Sequence, residues 1–203
     1  MAGNFLTEQS LEVGVAFFSQ ELRSRDIEHF IFFGTLLGFT RDGQPVKGDD
    51  DVDFYVCDDC YQAVHDMLSS LGIVINYQQF PNNTRHFIQV HGAIDSIELR
   101  VDFYFYNKSL DEDFILERWN FMANPEDDTN LLKLAKPLVY PIESTTYKGY
   151  EINVPRFPRI ICEYLYGVNW RVPKSKGVDY QIIMRGGRPI MLTNQDGRLS
   201  FDN

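Results

Sequence analysis

F-G-T-L-L-G-F-T-R-D-G-Q-P-V-K-G-D-D-D-V-D-F-Y, residues 33–55, contains the pattern from which we predict the architecture. It continues an apolar run over residues 29–33, which predicts a buried strand. Gly34-Thr35 then predicts a turn that opens a short helix, and a polar loop leads to an acidic segment. The stretch is therefore interpreted as a strand, a glycine turn, a loop and a second, acidic strand.

The second strand carries a cluster of carboxylates. Side chains alternate between the two faces of a strand, so Asp49, Asp51 and Asp53 are expected on one face and Asp50 on the other. Carboxylates this close repel one another unless water or a divalent cation compensates their charge. A solvated acidic turn is the alternative for a bare acidic run. The apolar strands on both sides favour a site for Mg²⁺ or Mn²⁺, which prefer oxygen ligands.

A later strand, predicted over residues 97–106, contains one further carboxylate. Its alternation places Arg100, Asp102 and Tyr104 on the same face. Asp102 either pairs with Arg100 or a nearby lysine, or faces the first acidic cluster as another metal ligand. The residues alone leave both possibilities open.

Composition limits the possible partners. The 203 residues carry a net charge of -10 with a pI of about 4.8, which argues against nucleic acid because phosphate-backbone binding needs a basic face. A small phosphorylated ligand held by a metal and one or two arginines remains compatible with this charge. No apolar run reaches the ~20 residues of a membrane helix, and no signal-peptide pattern opens the chain. A cytoplasmic location is expected.

The remaining pattern predicts an α+β chain. Apolar spacing predicts helices over residues 7–26, 35–39, 59–71 and 155–166, and strands over residues 29–33, 51–57, 73–80, 85–91 and 97–106. Residues 107–130 are interpreted as a loop with one short helix, and residues 138–154 as a hairpin turning at Ser144-Thr145. The Cys57–Cys60 pair has no second Cys or His pair to complete a zinc site.

A strand, a glycine turn, an Asp-x-Asp strand and a later Asp together are typical of a nucleotidyltransferase-type active site. Displacement at phosphorus builds negative charge on oxygen, which metal ions held by carboxylates neutralise. We expect Asp51, Asp53 and Asp102 to hold metal with Asp49 as a fourth carboxylate, one of the set serving instead as general base.

Four residues of the first stretch are predicted to meet the donor. Gly34 and Thr35 would bring backbone amides close to a phosphate. Arg41 and Lys47 flank the loop and are predicted to meet the donor's phosphates, with solvated loop cations as the alternative.

These residues carry a family resemblance. G-T-L-L-G-F-T-R at residues 34–41, followed by D-D-D-V-D at residues 49–53, resembles the LicD/fukutin family of phosphotransferases. A second block supports it: residues 147–155, then Tyr164-Leu165-Tyr166-Gly167, Trp170 and Pro173, is similar to that family's closing segment. The two blocks span most of residues 29–173.

The resemblance implies a nucleotidyltransferase-like mixed sheet with flanking helices and a C-terminal hairpin–helix segment. It implies a catalytic domain over residues 1–173, with residues 174–203 as a tail. Family members move an alcohol phosphate, such as phosphocholine or ribitol phosphate, from a CDP-activated donor to a sugar hydroxyl of a glycan and release CMP. This activity would place the chain at the cytoplasmic face of the membrane where glycans are assembled.

The family's metal ligands map onto Asp49, Asp51, Asp53 and Asp102, and its arginine maps onto Arg41. Gly48 stands where an aromatic residue commonly precedes the acidic run, which leaves the donor open. Three alternatives to this phosphotransferase remain. They are a nucleotidyltransferase that attaches NMP to a small hydroxyl compound and releases pyrophosphate, a nucleotide-binding module without turnover, and a glycosyltransferase with a metal-binding D-x-D.

Overall fold

Five strands pair into one mixed sheet in the computed structural model, which describes residues 7–79, 87–118, 131–173, 192–195 and 198–201. The strands are β1 (His29–Ile31), β2 (Val52–Cys57), β3 (Ile75–Gln79), β4 (Phe87–Ile94) and β5 (Ile97–Tyr106). Their order across the sheet is β1-β2-β5-β4-β3. β2 and β5 run parallel, and every other neighbouring pair in this sheet is antiparallel. The predicted α+β class is confirmed.

Helices flank this sheet, and short ribbons follow it. The helices are α1 (Glu8–Ser24), α2 (Phe33–Asp42), α3 (Tyr61–Ser70), α4 (Lys136–Val139) and α5 (Pro158–Tyr166). The ribbons are β6 (Phe114–Arg118) with β7 (Leu131–Ala135), β8 (Glu143–Tyr147) with β9 (Tyr150–Val154), and β10 (Leu192–Gln195) with β11 (Arg198–Phe201). In the described ranges, no helix combines the length and the apolar composition needed to cross a bilayer.

Helix α1 covers one face of the sheet. The Thr7 hydroxyl caps its start by accepting a hydrogen bond from the Ser10 amide at 3.0 Å. The predicted apolar stripe of Leu11, Val15, Phe18 and Leu22 is buried. The Phe18 ring meets Phe103 of β5 edge-on, with the ring centroids 5.5 Å apart.

The opposite face of the sheet carries the acidic side chains. Phe54 and Phe103 are paired across β2 and β5 and stack with centroids 5.7 Å apart on the α1 side. Side chains alternate, so their neighbours Asp53 and Asp102 lie on the other face. Tyr55, on that second face, stacks on Phe32 at 4.2 Å. The sheet therefore separates the core under α1 from the face that holds the carboxylates.

Two local predictions were wrong. Residues 114–118 form strand β6 rather than part of a loop, because Ile115 is buried and pairs with Leu134 of β7; residues 119–130 lie outside the described ranges. The β8–β9 hairpin turns at Lys148-Gly149, not at Ser144-Thr145. Both turn residues have positive φ, 49° and 86°, which is the conformation of a tight two-residue hairpin loop.

His29 of β1 makes the stability of the fold depend on pH. Its ring is fully buried, and Nδ1 donates to the Ile27 carbonyl at 2.7 Å. Burial lowers the pKa of His29 to about 4, from 6.5. The unfolded chain therefore binds more protons between these two values, so stability falls as the pH falls through this window.

We expect a loss of about 2 kcal/mol in the free energy of unfolding between about pH 7 and about pH 5. Urea titrations of wild type and His29→Gln at both pH values measure this loss. The variant should have a flatter pH dependence than wild type. An unchanged slope in His29→Gln would contradict this assignment.

Candidate active site

Asp53 and Asp102 are direct partners across the parallel strands β2 and β5. They are 5% and 4% exposed, so both carboxyl groups are taken from water. Asp51 lies two residues before Asp53, and one carboxylate oxygen from each of the three residues lies within 4.8 Å of the others. Like charges placed directly opposite each other in a sheet are destabilising, and burial strengthens the repulsion. The three carboxylates therefore form a largely buried negative cluster, which a bound cation would stabilise.

The glycine turn after β1 holds Asp53 in place. The Gly34 amide donates to Asp53 Oδ2 at 3.0 Å, and the Asp53 amide donates to Thr35 Oγ1 at 2.8 Å. The Phe32 amide also donates to the Asp53 carbonyl at 3.0 Å. The structure therefore places Gly34 against the Asp53 carboxylate and Thr35 against the Asp53 backbone amide. Contact of these two residues with a donor phosphate stays a prediction.

Asp49 and Asp50 belong to a neighbouring acidic group. Ligand atoms of Asp49, Asp50 and Asp51 also lie within 4.8 Å of one another. Strand alternation does not separate Asp50 from the other two, because β2 begins only at Val52 and residues 49–51 precede it. The expectation that Asp50 faces away was therefore wrong, and all four aspartates of the 49–53 run lie in or beside the cluster.

Gly34 and Asp49 are in close approach. A Cβ atom on Gly34 would lie 2.7 Å from Asp49 Oδ2, so that carboxylate would have to move. We expect Gly34→Ala to leave α2 at least as stable, since Ala is the better helix former, but to weaken Mn²⁺ binding about tenfold. Calorimetric titration with Mn²⁺ measures the loss. Gly92→Ala is the matched control because its added methyl meets open space. Equal Mn²⁺ affinity in both variants would remove Asp49 from the site.

Asp102 is oriented by neutral donors. Gln89 of β4, its direct partner across the β4–β5 ladder, donates from Nε2 to Asp102 Oδ1 at 2.9 Å. The Tyr104 hydroxyl lies 3.4 Å from Oδ2. Neither donor carries a charge, so each fixes the carboxylate without cancelling it. Arg100 pairs with Glu98 at 3.4 Å, so the expected alternative of an Asp102–Arg100 pair does not occur in the described residues.

The two predicted loop cations lie apart from the carboxylates. Arg41 is in the last turn of α2 and donates from Nε and an η-nitrogen to Asp42 Oδ2, at 2.9 and 2.7 Å. Lys47 is 87% exposed and lies 3.5 Å from Glu8. Neither contacts Asp51, Asp53 or Asp102 within the described part of the chain. Their contact with the donor stays a prediction.

The residues present suit a hard divalent cation. Carboxylate oxygens are the ligands that Mg²⁺ and Mn²⁺ prefer. A third acidic group contains Cys57, Asp58 and Asp59, whose ligand atoms also lie within 4.8 Å. Burial raises the pKa of the Cys57 thiol to about 12, so it stays protonated at neutral pH and is a poor metal ligand. The carboxylates of Asp51, Asp53 and Asp102 are the better candidate for a metal site.

A mixed sheet with an acidic pair on two central parallel strands, one of them following a glycine turn, defines the nucleotidyltransferase fold. The model of the LicD/FKTN/FKRP nucleotidyltransferase domain matches residues 26–157, and the chain belongs to this family. It is therefore a transferase of nucleotide or phosphate-containing groups. The match ends before α5, so the segment that closes on Tyr166-Gly167 and Trp170 lies outside it.

One solved structure supports the fold. The lincosamide antibiotic adenylyltransferase LnuA, solved with lincomycin bound, is 17% identical, with a TM-score of 0.50 over 75% of this chain and 82% of that one. ANT(2'')-Ia in complex with adenylyl-2''-tobramycin is 12% identical, with a TM-score of 0.46 over 78% and 75%. An antigenic nucleotidyltransferase-like protein from Paracoccidioides brasiliensis is 13% identical, with a TM-score of 0.44 over 74% and 62%. No curated protein sequence matches this chain.

Proposed function

We propose that the chain is a metal-dependent phosphotransferase that moves an alcohol phosphate from a CDP-activated donor to a sugar hydroxyl of a glycan and releases CMP. The observation that carries the proposal is that carboxylate oxygens of Asp51, Asp53 and Asp102 lie within 4.8 Å of one another, in a member of the LicD/FKTN/FKRP family. Phosphoryl-group transfer is the chemistry for which a sheet concentrates carboxylates in this way.

The reaction joins the acceptor's hydroxyl oxygen to the phosphorus of the alcohol phosphate. The bond from that phosphorus to the bridging oxygen of CMP breaks, CMP leaves with the electron pair, and the hydroxyl proton passes to a base. We expect one carboxylate of the cluster to accept this proton. Asp51, Asp53 and Asp102, with Asp49 beside them, would hold Mg²⁺ or Mn²⁺, which would neutralise negative charge on the phosphoryl oxygens.

The chain's own contribution is positioning. Gly34 and Thr35 fix Asp53 through its carboxylate and its amide, while Gln89 and Tyr104 fix Asp102. Both carboxylates therefore have a defined orientation before substrate arrives, which reduces the reorganisation that the transition state requires.

The product released distinguishes this proposal from its alternatives. Purified protein is incubated with Mg²⁺, a panel of sugar acceptors and CDP-choline, CDP-ribitol or CDP-glycerol, and CMP is measured. We expect CMP only when donor, acceptor and metal are all present. Pyrophosphate released from an NTP would instead support NMP transfer. Thermal stabilisation by nucleotide without any product would support a binding module. Either outcome, with no CMP from any donor, rejects the phosphotransferase.

A further inference from the structure

A second row of polar side chains lies beside the carboxylates on the same face of the sheet. Asp53, Asp102 and Gln89 form one row across β2, β5 and β4. The next row, two residues back along β5, contains Arg100, which is paired with His91 of β4. Two residues at about 3.3 Å rise put the Arg100 Cα about 7 Å from that of Asp102, within the reach of an arginine side chain.

Arg100 has unused hydrogen-bonding capacity. Its side chain is only 20% exposed, and its buried Nε has no hydrogen-bond partner among the described residues. Its ion-pair partner, Glu98, is 64% exposed and 3.4 Å away. An ion pair with so exposed a carboxylate contributes little to stability, and another anion can replace that carboxylate. A guanidinium has five donors in a fixed fork that matches the oxygens of phosphate.

An anion that enters this site needs a cation near the carboxylates. Three carboxylates carry more negative charge than one divalent cation, so a cationic side chain beside Asp51, Asp53 and Asp102 would further stabilise a bound diphosphate. Arg41 belongs to helix α2 and Lys47 to the loop after it, so neither is part of the sheet that holds Asp53 and Asp102. Among the described residues, Arg100 is the arginine that shares the face and the strand of Asp102.

We propose that Arg100 binds a phosphoryl oxygen of the nucleoside diphosphate portion of the donor. The inference rests on the proposed function, because it takes the ligand to be a nucleotide donor. It makes Arg100 a substrate-binding residue, with the guanidinium exchanging its weak contact with Glu98 for a charge-assisted contact with phosphate.

The test is calorimetric titration of wild type, Arg100→Gln and Arg100→Lys with CDP in the presence of Mn²⁺, and with Mn²⁺ alone. Arg100→Gln should weaken CDP binding about 10- to 100-fold, and Arg100→Lys less, because lysine keeps the charge but loses the fork. Mn²⁺ alone should bind Arg100→Gln as tightly as wild type or more tightly, since a nearby cation is removed. Arg25→Gln, at the end of α1, is the matched control and should match wild type in both titrations.

Three results would overturn the inference. CDP binding by Arg100→Gln with wild-type affinity is the first, and equal losses of Mn²⁺ and CDP binding, which would mark Arg100 as structural, are the second. The third is a wild type that binds none of CDP, UDP, ADP and GDP. If circular dichroism shows Arg100→Gln unfolded, unchanged CDP affinity in Arg100→Lys overturns it equally. Wild type that binds CDP through Arg100 but releases no CMP from CDP-alcohols would leave this inference standing and reject the phosphotransferase.

Discussion

Replacing Asp53 by asparagine is expected to abolish transfer while the protein stays folded, and Asp102→Asn is expected to do the same. The two carboxylates oppose each other across β2 and β5 and are both buried, so either change removes one half of a repelling pair. Activity should fall at least about 1,000-fold, or ~4 kcal/mol of transition-state stabilisation, because a metal site loses a charged ligand.

The thermal stability of the two variants should not fall with their activity. In metal-free buffer each variant should unfold at the wild-type temperature or above it, since asparagine has nearly the shape of aspartate and removes a charge. The Gly34 amide keeps an acceptor at position 53, and the Gln89 amide keeps one at position 102.

CMP release with Mg²⁺ present measures the loss of activity. Thermal unfolding in EDTA measures the change in stability. Asp66→Asn, on the exposed side of α3, is the matched control and should change neither. Wild-type rates in Asp53→Asn would contradict the site. A lowered melting temperature with full activity in Asp102→Asn would show that Asp102 serves only to support the fold.

Sequence alternation could predict the face that each carboxylate occupies, but not their meeting. Strand β5 was predicted over its observed residues, 97–106, and its alternation places Asp102 on the expected face. That Asp102 lies opposite Asp53 depends on the parallel pairing of β2 with β5. Such a pairing joins residues about 50 positions apart in sequence, and only the resemblance to a family made it predictable. Local pattern carries no register between distant strands.

Gln89 shows what local pattern could not reveal. A lone glutamine on an alternating strand is ordinary, and its alternation gave only its face. Its role toward Asp102 depends on the antiparallel register of β4 on β5. The surroundings of Arg41 could not be predicted from the sequence either. Helix α2 extends to Asp42, beyond its predicted end at residue 39, and Arg41 pairs with that residue. The predicted contact of Arg41 with the donor stays a prediction.

Adding Mn²⁺ or Mg²⁺ to metal-free protein is expected to raise its melting temperature, and removing metal with EDTA is expected to abolish CMP release. Binding to the folded state alone stabilises it by about 2.7 kcal/mol at 100 times the dissociation constant. For a chain of this size that corresponds to a rise of roughly 5–10 °C, because about 1 kcal/mol shifts the midpoint by about 2–4 °C. The driving force is the relief of repulsion among Asp51, Asp53 and Asp102.

The location of this stabilisation can be tested because the described residues contain three acidic groups. The double variant Asp53→Asn with Asp102→Asn should lose the Mn²⁺-dependent rise in melting temperature. The double variant Asp58→Asn with Asp59→Asn should retain it. Thermal unfolding of each variant with and without Mn²⁺ separates the sites. A rise that persists without Asp53 and Asp102 would assign the cation to the 49–51 group or to the group at Cys57. In that case Asp53 and Asp102 would neither bind metal nor support turnover. The destabilisation that their mutual repulsion causes would then be unexplained.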